Sequence, residues 1–244
     1  VVSINTKRAK FPALYNWLIK KCYKNFNTIV CQSAYMQQDL VGNYQIEKNK
    51  TVVINNPVED AGTVVHTPAV SKLLTVARLS EEKGIDRLIR SAAKLTIPFQ
   101  FYIIGEGNKK ETLQQLIDEL NMQDKIFLQG KKKQPFAGME DAALFLMGSH
   151  YEGFPNVLLE AGILGMPVVA FEVPGGINEI ITNEENGILV KNNDETAFVK
   201  AVEKALLTNF NRQQIQATTK ANFSTHTIIK KTEDLFIQLY KQLK

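Results

Sequence analysis

Cysteine is nearly absent. The two cysteines of this 244-residue chain, Cys22 and Cys31, are too few for a disulfide scaffold and lack metal-ligand spacing, so two half-buried thiols in a reducing cytosol are expected. No apolar stretch reaches the roughly 20 residues of a membrane span before Glu, Gly or Pro interrupts it. The residues from Val1 onward show no basic segment leading into an apolar run and a small-residue cleavage site, so no secretory signal is expected. Internal repeats and low-complexity segments are missing as well. Net charge is only +4, too weak to point to nucleic acid. A hydrophobic share of 44% and a charged share of 22% match an ordinary soluble globular chain with material for a sizeable core.

Lysines are locally dense. "KRAK", "KKCYK" and "GKKKQP" form small basic patches; a solvated face explains such runs, and attraction to a phosphate-bearing ligand or an anionic membrane surface is the sharper reading. The first two are taken as solvated faces.

Short apolar, often β-branched runs read as strands buried on both faces: 72–77, 99–105, 125–130, 143–149, 167–171 and 186–190. Helical patterns lie between them, "GIDRLIRSAAKL", "NKKETLQQLIDELNM", "FAGMEDA", "PNVLLEAGILG" and "GGINEII". This alternation predicts right-handed βαβ units, an α/β fold with a Rossmann-like open parallel sheet covered by helices on both faces. "DETAFVKAVEKALLT" and "THTIIKKTEDLFIQLYKQLK" then continue as helix. Residues 1–57 read as helix, strand, helix, strand, which cannot close a sheet alone. They are expected to be the tail of a truncated N-terminal domain, followed by a ligand-binding domain over 58–223 and a C-terminal helix over 224–244. The stretch 55–70, punctuated by Pro57, Gly62 and Pro68, is the linker candidate. The apolar face of the last helix (Ile229, Leu235, Phe236, Leu239, Leu243) is expected to pair with residues 1–50 or with another chain.

Ligands of open parallel sheets bind at the carboxyl ends of the strands. Five successive loops there carry charge or glycine: "RLSEEKG" with Arg78 and Lys83, "GEG" with Gly105 and Gly107, "GKKKQP", "HYEGFPN" and "EVPGG". Pro155 suits a first helical turn, so a helix is expected from about Pro155 or Asn156, with free amides and its positive dipole end at the strand termini, an anion site. Glu160 lies among Val157, Leu158, Leu159, Ala161, Ile163 and Leu164. A buried carboxylate there needs a cation or hydroxyl donors. One helical turn rises about 5.4 Å, which leaves Glu160 just beyond the helix mouth and Glu152 in the loop before it. Acceptors on both sides of an anion site suit a sugar, diphosphate, ribose and base in series. Each feature alone has a plainer explanation: a structural Arg or Lys for Glu160, ion pairs of Arg78 and Lys83 with Glu81 and Glu82.

Together, "R-x4-K" in "RLSEEK", "EGFPNVLLE" with seven residues between its glutamates, "GMPVVA" and "PGGINEI" resemble the retaining GT-B glycosyltransferases of the E-x7-E type, glycosyltransferase group 1 or family 4. The resemblance runs from about Thr28 to Leu207 and is carried mainly by "EGFPNVLLEA". It implies that Arg78 and Lys83 hold the donor diphosphate, that Glu152, Gly153, Phe154, Pro155 and Asn156 hold the transferred sugar, that Val157 also binds the donor, and that Glu160 holds the ribose hydroxyls. Lys132 to Pro135 would lie near the base, and Gly105 with Gly107 would form the pocket floor. The catalytic set would be Arg78, Lys83 and Glu152, with Glu152 positioning sugar rather than attacking it.

Charge building on the departing diphosphate would be stabilised by the two cations and the helix terminus, about 2.7–4 kcal/mol per donor. No Asp-x-Asp pair occurs, so no metal cofactor is expected. The nucleotide-sugar is the expected donor, with UDP the working choice among UDP, GDP and ADP. A glycan or lipid-linked acceptor of bacterial polysaccharide assembly, a cytoplasmic location with peripheral contact at the inner membrane face, and no nucleic-acid partner complete the expectation. This chain is expected to bind donor but to transfer sugar poorly. The alternatives are a sugar-nucleotide epimerase of the same architecture, a non-catalytic nucleotide-binding module and a glycoside hydrolase, which would pair its carboxylates without Arg and Lys.

Overall fold

The computed structural model describes residues 13–60 and 71–242. "KRAK", Gly62, Pro68 and Leu243 therefore lie outside the described residues. An N-terminal segment comes first: helix α1 (Ala13–Tyr23), strand β1 (Ile29–Cys31), helix α2 (Ala34–Tyr44) and strand β2 (Thr51–Val53). The parallel pair β1–β2 forms its own small sheet. Ser33 caps α2, its Oγ accepting from the Met36 N–H at 3.1 Å. Cys22 is exposed and Cys31 fully buried, which corrects the expectation of two half-buried thiols: Cys31 sits on the strand face that α2 covers, Cys22 on the outer side of α1.

The main sheet holds β3 (Ser71–Val76), β4 (Phe99–Ile104), β5 (Ile126–Leu128), β6 (Leu144–Met147), β7 (Val168–Glu172) and β8 (Gly187–Lys191). All neighbours pair in parallel, in the order β5-β4-β3-β6-β7-β8. Counted from β3, that is the Rossmann order, with a topological switch between β3 and β6. Side chains alternate across it. Leu73, Phe101, Ile103, Leu144, Leu146, Val169 and Phe171 pack on one face against α3 (Ile85–Ala92), α4 (Lys110–Glu119) and α6 (Glu195–Leu207). Leu74, Ile104, Phe145, Met147, Val168 and Ala170 pack on the other against α5 (Asn156–Ile163), with Phe223 of α7 (Arg212–Phe223) behind it. Burial on both faces is why these strands read as continuous apolar runs.

"FAGMEDA" is not a helix. Residues 135–138 form a turn, with Gly138 at φ 78°, a left-handed conformation that stops helix propagation. "GGINEII" supplies only a 3-10 turn, Gly176–Glu179. The last helix, α8 (Thr225–Gln242), buries Ile228, leaves Leu235 and Leu239 of the expected apolar face partly buried and Ile229 and Phe236 exposed, so residues 13–60 do not cover those last two side chains. The described part of the 55–70 stretch is anchored by a bridge of Val58 to Ser224, with Val58 N–H donating to the Phe223 carbonyl at 2.8 Å.

Candidate functional site

The switch between β3 and β6 opens two loops side by side. The β3 loop carries Arg78 and, in a 3-10 turn Glu81–Lys83, Lys83; the β6 loop carries Ser149 and Glu152. Their close approach depends on glycine. A Cβ on Gly84 would stand 2.0 Å from the Gly148 carbonyl oxygen, and one on Gly148 would stand 2.4 Å from that of Gly84. Between the loops and the start of α5 lies a cleft of about 310 Å³, lined by Arg78, Lys83, Ser149, Glu152, Phe154, Pro155, Asn156 and Val157 among others.

Lys83 Nζ and Ser149 Oγ both reach Glu152 Oε1 at 2.6 Å. Lys83 therefore pairs with Glu152 rather than with its sequence neighbour Glu81. Arg78 is different: its side chain is 71% exposed and its Nη2 stands 3.7 Å from Glu82 Oε1, a long, exposed pair at the cleft rim. The Glu152 N–H donates to the Pro174 carbonyl at 3.0 Å and the Gly176 N–H to the Gly153 carbonyl at 2.7 Å, so the loop after β7 braces the glutamate loop. Phe154 is buried against Phe223, ring centroids 5.9 Å apart.

Helix α5 begins as expected, with Pro155 as its N-cap. Its first-turn amides, Asn156 and Val157, have no intrahelical acceptor, and its dipole places partial positive charge at the cleft. Asn156 also lines a second cavity of about 590 Å³, formed by Pro57–Asp60, Lys133–Ala137, Glu140, Glu160, Ile163 and Leu164. The expected single cavity is thus two that meet at the helix mouth, with Glu152 in one and Glu160 in the other. Among the described residues Glu160 has no hydrogen-bond or ion-pair partner, and burial alone raises its carboxyl above the usual range. The structural cation that would have explained it trivially is not there.

Pro135 lines the second cavity and Lys132 lines neither. Gly105 and Gly107 also line neither; a Cβ at these positions would come within 1.8 Å of the Ala77 carbonyl oxygen and 2.2 Å of that of Leu79. They serve the β3 loop from behind, letting it lie against the β4 loop. Missed in the sequence were Ser149, placed inside a strand that ends at Met147, and the 57–60 wall, which no local pattern announces. Asn56 was missed too: its Nδ2 donates to Asn156 Oδ1 at 2.7 Å, while its Oδ1 accepts from Gln32 Nε2 at 3.0 Å. Glu179 similarly takes the Ala34 N–H, at the start of α2, at 2.7 Å. Among the described residues no group of three or more His, Cys, Asp or Glu side chains is arranged to hold a metal ion, and no helix is long and apolar enough to cross a membrane.

A Rossmann-ordered parallel sheet flanked by helices, with a helix N-terminus at its switch point, is an architecture of the GT-B class. Solved structures agree on the fold: the sucrose-phosphate synthase of Thermosynechococcus elongatus superposes with a TM-score of 0.84 at 20% identity, covering 98% of this chain and 65% of that one. Anabaena HepE in complex with UDP gives 0.84 at 19%, covering 96% and 70%. Residues 67–222 match the family described as Glycosyl transferases group 1, and the chain belongs to it. An N-acetylgalactosamine-N,N'-diacetylbacillosaminyl-diphospho-undecaprenol 4-alpha-N-acetylgalactosaminyltransferase from Campylobacter jejuni is 30% identical over 210 residues, 84% of this chain and 58% of that protein. The poly(ribitol-phosphate) alpha-N-acetylglucosaminyltransferase of Staphylococcus aureus is 26% identical over 233 residues, 93% and 47% respectively. The chain thus spans about half the length of these curated relatives.

Proposed function

We propose that this chain is the donor-binding part of a retaining, metal-independent glycosyltransferase that moves a sugar from a nucleoside-diphosphate sugar, UDP-linked, to a glycan or lipid-linked acceptor. One observation carries the reading: two cavities meet at a helix N-terminus, one holding a Lys83–Glu152 pair and the other a partnerless, half-buried Glu160. Diphosphate placed at the helix mouth would meet the Asn156 and Val157 amides, Lys83 and the exposed Arg78. The larger cavity would then take the nucleoside, its ribose hydroxyls donating to Glu160 and its base lying along 133–136. The smaller would take the sugar beside Glu152, which Lys83 and Ser149 hold in place for hydroxyls to approach. Lys83 lies between Glu152 and the phosphate position, so it links sugar orientation to stabilisation of the leaving charge.

Residues 1–57 would belong to the acceptor-side domain, 58–223 to the donor domain and 224–244 to a crossover helix. The names of relatives support the substrate classes: the Campylobacter relative is named for a lipid-linked acceptor, the Staphylococcus relative for a polymer, and HepE was solved with UDP. The location would be cytoplasmic, with peripheral contact at the inner membrane face. A panel of nucleoside diphosphates and their sugars, read by thermal shift, tests the proposal. A ligand at a hundred times its dissociation constant adds about 2.7 kcal/mol, so the matching donor should raise the melting temperature clearly; flat curves across the panel would reject it.

A further inference from the structure

Arg87 is a buried cation without an anion. It lies on α3, is 5% exposed, and no carboxylate comes within ion-pair distance of it among the described residues. Burial pushes its guanidinium down to about 10, against the pull of Asp86 and Glu195, so it stays charged at neutral pH. Instead of a salt bridge it has four neutral oxygens and a ring. Nε donates to the Gly148 carbonyl at 2.5 Å and Nη2 to the Ser149 carbonyl; Nη1 faces Asn192 Oδ1 at 2.9 Å and Asn193 Oδ1 at 3.4 Å. Its plane covers Phe171, 3.9 Å from the ring centroid.

These partners lie on two different loops, after β6 and after β8, and the rigid fork of Arg is suited to fixing both at once. A trans peptide carries its N–H opposite its C=O. Gripping the 148 and 149 carbonyls from behind therefore fixes the orientation of both peptide planes just where the chain enters the cleft. Ser149 and Glu152 follow directly.

We propose that Arg87 is a positioning residue for the sugar-side half of the site. It holds the 148–149 backbone so that Ser149 Oγ and Lys83 Nζ converge on one oxygen of Glu152, and it touches no ligand itself. The link to sugar binding rests on the donor reading above; the link to loop order does not.

Two measurements separate these. Arg87→Lys keeps a positive charge but cannot span two carbonyls and the asparagines. By hydrogen exchange on the unliganded protein, amides 149–153 should exchange at least tenfold faster in this variant, while those of β4 and β7 stay as in wild type. By calorimetry with UDP and with the UDP-hexose that wild type holds most tightly, the preference for the sugar form over UDP should fall at least fivefold, with UDP affinity itself changed less than twofold. A purely structural Arg87 would lower the melting temperature and leave both the 149–153 rates and the preference ratio unchanged, and that result overturns the proposal. If Arg87→Lys does not fold, Arg87→Gln, a neutral donor too short to grip both the 148 and 149 carbonyls, carries the same test: faster exchange at 149–153 supports the proposal and unchanged rates reject it. If wild type binds no nucleotide, the donor reading fails while the exchange arm still decides whether Arg87 orders the loop.

Discussion

Glu152 and Glu160 sit on opposite sides of one helix mouth and differ in almost everything else. Glu152 is held: a lysine and a serine hydroxyl on one carboxylate oxygen, and a braced backbone, fix it in one orientation and leave its other oxygen to accept. Glu160 lines its cavity with no partner among the described residues and bears the cost of partial burial. A fixed acceptor can discriminate between ligands that differ in one hydroxyl position. An unsatisfied one gains most from any ligand that brings hydroxyls. On the proposed function, the contrast would put recognition of the variable part of the ligand on the Glu152 side and of the constant part on the Glu160 side.

The comparison is broken most severely by Lys83→Ala. On the proposed reading this substitution removes a phosphate donor, and it leaves Glu152 without its cation. Charge-assisted hydrogen bonds are worth about 1.5–3 kcal/mol, so nucleotide affinity should fall about 100-fold in a calorimetric titration. Glu160→Gln should cost about tenfold for UDP and for UDP-sugar alike, because both carry the ribose.

The same Glu160 variant has a pH signature. The folded chain keeps the Glu160 proton above the ordinary value of 4.5, where the unfolded chain has released it, so this group lowers stability as pH rises through that window. Denaturation of the free protein across pH 4 to 7 should show Glu160→Gln gaining on wild type toward pH 7 and the gain vanishing at the acid end. Ser149→Ala, losing a bond worth about 1 kcal/mol, should weaken UDP-sugar about fivefold and leave UDP unchanged. Asn56→Ala should have the smallest effect, under about threefold on either ligand, since it frees Asn156 without removing a charge.

Much of this was legible in the chain. Strand after strand announces itself by apolar runs, and the start of α5 is written in "GFPN". What local pattern could not give was pairing at a distance. Lys83 finds Glu152 rather than Glu81 because the topological switch brings the β3 and β6 loops together, a consequence of strand order that no spacing encodes. Gly105 and Gly107 looked like cleft glycines, yet their missing side chains make room for another loop. "FAGMEDA" has a helical period, and one left-handed glycine overrides it. Arg87 sits on a helix face otherwise buried, where its charge would ordinarily be read as snorkelling outward; only the oxygens of two distant loops explain it.

The most direct test titrates wild type, Glu152→Gln and Glu160→Gln with UDP and with its matching UDP-sugar. Loss confined to UDP-sugar for Glu152→Gln, and equal loss of both ligands for Glu160→Gln, is the predicted pattern. Equal losses for both variants on both ligands, or no change in either, would contradict a division of the ligand across the helix mouth.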